Sequence, residues 1–157
     1  MSFKYHELPF GAQLLLWTSR VYIHGSCRSN PNKYQLVDLA YKKAGVDNGC
    51  YLLNEFLNIL KSTGFLDLQS ICSQNLTECE INLIRCIEEH KKEYFNNKYF
   101  IKVWNLDGSA DSFSYIAKSL ALALKNAGLC TNIGSETDIG VMEPAQSLFN
   151  ENTDKEN

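Results

Sequence analysis

No apolar run in this sequence approaches the roughly 20 residues that a membrane-spanning helix needs. The first residues do not read as a secretory leader either, because Glu7 and Pro9 interrupt them and no small-residue cleavage site follows. A cytoplasmic chain without a membrane partner is therefore predicted. In that compartment six cysteines imply no disulfides, and the sequon Asn75-Leu76-Thr77 carries no glycan. A basic element is missing too. Residues 131–157 hold six acids and one base, which leaves 1–130 near +2 with the cations scattered. Nucleic-acid binders concentrate their basic excess on one element, so nucleic acid is disfavoured as a partner. The sequence has no Gly-rich phosphate loop, no G-x-S-x-G, no H-E-x-x-H, no EF-hand pattern and no internal repeat. It predicts no enzyme and no cofactor.

What is present is helical punctuation. The chain has 157 residues, enough for one domain with a core that needs no metal or disulfide to hold it. A first helix is predicted from Gly11 to His24, apolar nearly all round, with Gln13 and Arg20 tracing its polar line. Asn30 as N-cap, Pro31 at the first turn and Gly45 as stop mark a second, with Tyr34, Leu36, Val37, Ala40, Tyr41 and Ala44 inward. A third runs from Asp47 to Gly64 and sets Leu52, Leu53, Phe56, Leu57, Ile59 and Leu60 against Asn54, Glu55, Asn58 and Lys61. The fourth start is marked twice. Thr77 and Glu80 form a capping box, and Leu76 with Ile81 forms a hydrophobic staple. That helix is predicted to reach Phe95. The segment YFIKVWNL is read as a short helix, because no second strand is available to pair with it. A last helix spans Asp111 to Ala127. Residues 1–130 are thus the helical domain, and 131–157 are predicted to be a disordered acidic tail.

Cys72, Cys79 and Cys86 fall at seven-residue intervals ahead of His90. On a helix, Cys79, Cys86 and His90 share one stripe, and Cys86 with His90 has a spacing that could chelate zinc. Against that reading, Cys79 and Cys86 are roughly 10 Å apart along the axis, and the closely spaced cysteine pairs of structural zinc sites are absent. The stripe is better read as the border of a buried face made by Leu83, Ile84, Ile87 and Tyr94, where free cysteine packs as a small apolar group. No metal ligand is assigned. Nucleophilic use of Cys86 is disfavoured by the acids Glu88, Glu89 and Glu93 around it. His6 and His24, near helix ends, are read as solvated or capping residues.

The second and third helices, joined by Gly45-Val46-Asp47, have the order of a helix-turn-helix. The third opens Asn48-Gly49-Cys50-Tyr51-Leu52, however, with its one cation, Lys61, at the far end. On the last helix, Tyr115 and Leu122 lie seven apart and away from the inner stripe of Phe113, Ile116, Ala117, Leu120, Ala123, Leu124 and Ala127. They are the predicted partner-binding residues, an apolar seam for another protein or a second copy.

The stretches LPFGAQLLLWTSRVY, LTECEINLI and SLALALKNAGL together resemble small, uncharacterised, all-helical proteins of alphaproteobacteria, over about residues 8–130. That resemblance implies a helical fold in a bacterial cytoplasm and transfers no activity and no site residue. The sequence therefore predicts an all-α bundle of five or six helices with short connections. Its leading function is a non-enzymatic interaction or regulatory module. The alternatives are a helix-turn-helix nucleic-acid binder and a small metal- or thiol-dependent protein using Cys72, Cys79, Cys86 and His90.

Overall fold

The computed structural model describes residues 3–25 and 32–134. They form an all-α bundle of six α-helices in which no strand occurs among the described residues. The helices are α1 (Phe10–His24), α2 (Lys33–Lys43), α3 (Gly49–Thr63), α4 (Glu78–His90), α5 (Lys98–Val103) and α6 (Ala110–Asn126). Short 3-10 turns at Tyr5–Glu7 and Asp107–Ser109 precede α1 and α6. The expected cap at Asn30 and Pro31 and the acidic tail from 135 onward lie outside the described residues. Residues 131–134 are described. Thr131 is buried and its hydroxyl donates to Glu88 Oε1 at 2.7 Å, so the packed chain continues past residue 130.

α1 is central because its surface is apolar on nearly every side. Leu14, Leu15, Leu16 and Val21 are buried in the core together with Thr18 and Ser19. Burying hydroxyls costs free energy unless they are hydrogen-bonded, and both are: Ser19 Oγ donates to Leu15 O at 2.7 Å, and Thr18 bonds to Leu14 O at 2.7 Å. Thr18 Oγ1 also lies 2.8 Å from the hydroxyl of Tyr41, a buried ring of α2 whose pKa burial pushes well up. The α2–α3 turn depends on two glycines. Gly45 has φ 88°, and a Cβ at Gly49 would stand 2.5 Å from the Tyr41 ring, so only glycine lets α3 begin against α2. Gly64, at φ 81°, ends α3 in the left-handed region.

α6 packs chiefly on α3 and α4. Phe56 of α3 stacks on Phe113 of α6 with ring centroids 5.7 Å apart, and Phe113 also meets Trp104 edge-on. Close to the other end of the described chain, the backbone runs tightly past α1. A Cβ on Gly11 would lie 2.3 Å from Cys130 O.

Three expectations are corrected. Arg20, assigned to a polar line, is fully buried, because Glu80 and a set of loop carbonyls neutralise and bond it. Tyr34 faces outward and leaves Val37 and Tyr41 as the buried residues of α2. α4 stops at His90 rather than Phe95, and Tyr94 is 87% exposed in the turn that follows. The helix gives way there to 91–97, where Glu89 Oε2 accepts the Asn96 N–H at 2.8 Å and Asn97 opens α5.

Candidate functional site

Two parts of the molecule carry the residues singled out in the sequence: the two ends of α4, and the outer face of α6. At the first end, the capping box forms as read. Thr77 Oγ1 accepts the Glu80 N–H at 3.0 Å, and Glu80 Oε1 accepts the Thr77 N–H at 3.0 Å. The same carboxylate does more than cap. Oε2 accepts Arg20 Nε at 2.7 Å and the Gln69 N–H at 3.0 Å, and Oε1 accepts Arg20 Nη2 at 3.1 Å. Arg20 then spends its remaining donors on loop carbonyls, Ser73 O at 2.8 Å and Asn75 O at 3.0 Å, and lies against the Tyr5 ring. This buried pair fixes the 65–77 loop to α1. His24 adds a second tie, with Nε2 2.9 Å from Leu68 O. The fork-on-fork geometry is the form in which a buried pair is well satisfied.

At the other end of α4, Cys86 and His90 are fully buried. Cys79 is half-buried beside the Asp67 N–H, and Cys72 is exposed. The convergence that a metal reading requires is not found: among the described residues, no three His, Cys, Asp or Glu side chains are grouped to hold one ion. Burial pushes the Cys86 thiol well up, away from the thiolate that catalysis or metal ligation needs.

His90 is held on both nitrogens. Nδ1 is 2.8 Å from Cys86 O, an acceptor only, so Nδ1 carries the proton. Nε2 is then the lone-pair side, and Asn97 Nδ2 donates to it at 3.1 Å while also donating to Ser114 Oγ at 2.7 Å. Phe95 and Phe113 flank the ring at 4.5 and 5.9 Å. Burial lowers the His90 pKa, against the opposing pull of Cys86 O and Glu89. Sequence reasoning placed His90 on the right stripe. It could not see Asn97, which reaches the ring from the turn after α4 and is itself held by Ser114 of α6.

The outer face of α6 is open. Tyr115 is 73% exposed, and Leu122, two turns on, is 36% exposed. Lys118 stands between them and reaches sideways, its Nζ donating to Lys92 O and lying over the Phe95 ring. A groove of about 420 Å³ beside α4 is lined by Arg85, Glu89, Lys92, Phe100, Ile133 and Gly134, with Glu89 already paired to Lys92 at 2.9 Å. In the α2–α3 unit, the first turn of α3 buries Gly49 and Cys50 and exposes Tyr51, with no cation there.

No helix among the described residues is long and apolar enough to cross a membrane. Compared with protein-family models, with curated protein sequences and with solved structures, the chain matches none.

Proposed function

We propose that this protein is a non-enzymatic interaction or regulatory module of the bacterial cytoplasm, acting through the outer face of α6 on another protein or on a second copy of itself. The observation that carries the reading is the exposure of Tyr115 beside Leu122 on a helix whose other side is fully committed to the core. A partner that covered Tyr115 would gain about 1.5–3 kcal/mol, and covering Leu122, only 36% exposed, would add about a third of that. Tyrosine also supplies contact area with little rotamer entropy to lose, which suits it to the centre of an interface. Lys125, one turn beyond Leu122, favours a partner with an acidic residue at its rim.

The nucleic-acid alternative has less support. α3 presents Tyr51 and no cation at the end that would enter a groove, and phosphate contact supplies much of the affinity for DNA.

The test is capture of partners from the native cytoplasm by the full chain, alongside the double variant Tyr115→Ala with Leu122→Ala, and sedimentation of both proteins for self-association. The reading expects a partner or a dimer that the wild type forms and the double variant loses at unchanged helicity. An unchanged partner set and oligomeric state would end it.

A further inference from the structure

The His90 cage has a built-in polarity. Its contacts fill the hydrogen-bonding roles of the neutral, Nδ1-protonated imidazole: a carbonyl for the N–H and an amide N–H for the lone pair. With the Asn97 amide as it stands, a second proton on Nε2 would face its Nδ2 donor and would set a charge between Phe95 and Phe113. Among the described residues, no carboxylate is hydrogen-bonded to the ring to receive it. Of the charged groups on the elements around it, Glu89 already holds Lys92 and the Asn96 N–H, and Lys91 is turned to Leu129 O and Glu88. Glu93 is exposed, and Lys118 approaches from α6 with charge of the wrong sign. The Cys86 thiol is neutral.

The start of 91–97 is tied down by Lys91, to Leu129 O and Glu88, and by Lys92, to Glu89, and the rest of the segment hangs on a short set of contacts. Asn97 grips His90 and Ser114, Phe95 lies on the His90 ring, Asn96 N–H bonds to Glu89, and Lys118 bonds to Lys92 O. Two of these grips act through the imidazole itself. We propose that 91–97 is an acid-released strap: protonation of His90 at Nε2 ejects Asn97 and Phe95 from the α4–α6 end while the bundle stays folded. Release uncovers Phe113 and the His90 ring next to Lys118, at the edge of the α6 face. The inference stands on the cage alone and does not rest on the interaction reading.

The full chain, labelled for histidine and amide NMR, is titrated from pH 7.5 to 4.5. The His90 ring shift is followed together with hydrogen-exchange protection at Asn96, Lys98 and the core of α3. Expected is a His90 midpoint below its ordinary 6.5. Protection at Asn96 and Lys98 should fall by about tenfold per pH unit between 6.5 and that midpoint, with α3 unchanged. Asn97→Asp supplies a carboxylate for the second proton, so it should raise the midpoint and abolish the fall. His90→Gln should abolish it too, and if that variant does not fold, the wild-type and Asn97→Asp arms decide. Strap protection that stays constant through the His90 titration overturns the proposal. So does a fall that persists in Asn97→Asp, or one that α3 shares.

Discussion

The two ends of α4 bury polar groups in opposite ways. At the start, Glu80 and Arg20 are both fully buried and both charged, and every lone pair and N–H that the fold can reach is used. At the finish, His90 is equally buried but neutral, held by one carbonyl and one amide between two phenyl rings. A charge survives burial when its whole coordination is supplied by groups of opposite polarity. A group that can lose its charge does so when such partners are missing. One helix thus carries a permanent lock at one end and a titratable joint at the other.

The comparison is broken most severely at the lock. Arg20→Ala or Glu80→Ala leaves an unpaired buried charge and should cost about 3–5 kcal/mol in urea unfolding, whereas Arg20→Met with Glu80→Leu should recover much of that loss. A double variant as unstable as either single one would show that the loop contacts of Arg20, and not the charge balance, set the cost.

The joint should respond to pH. The folded His90 pKa lies below 6.5, so the unfolded chain takes up a proton first as pH falls. Its contribution is therefore complete above 6.5 and is lost at up to about 1.4 kcal/mol per pH unit down to the folded value, below which the loss levels off. Comparing unfolding free energies of the wild type and His90→Gln across that range isolates this slope.

A milder perturbation at the lock is Thr77→Val, which removes the cap on the Glu80 N–H and the hydroxyl donated to Asp67 O at 2.6 Å. About 1 kcal/mol of stability should be lost, read by thermal unfolding, with Arg20 still in place. The smallest effect belongs to Tyr115 on the α6 face. Tyr115→Ala should change stability by less than about 0.5 kcal/mol, since surface side chains away from buried networks contribute little, and Leu122→Ala, at a site only 36% exposed, by about 1 kcal/mol. A larger loss would mean that the face is part of the core and not a contact surface.

How legible each end was follows from where its partners lie. Thr77, Glu80, Leu76 and Ile81 are neighbours in sequence, so the start of α4 could be placed from local chemistry. The second duty of Glu80 could not, because Arg20 sits sixty residues away on a helix whose hydropathy made it look like a solvent-facing residue. Periodicity put Cys86 and His90 beside the buried face, and both are indeed buried. The same periodicity ran α4 too far, to Phe95, because nothing in hydropathy announces that Asn96 and Asn97 will bond back to Glu89 and His90. Short helices such as α5 are set by what they pack on; Phe100 and Trp104 stack and anchor it to Phe113. Tyr115 and Leu122 lie at the surface, where an outward register places them.

Arg85 has one more implication. Its Nε donates to Gly134 O at 3.3 Å, while its guanidinium lies 5.8 Å from the centre of the Phe3 ring. One side chain of α4 thereby clasps the segment that leads into α1 and the segment that leaves α6. The approach to the first helix and the exit from the last share a single fastening, so loosening at one flank is felt at the other.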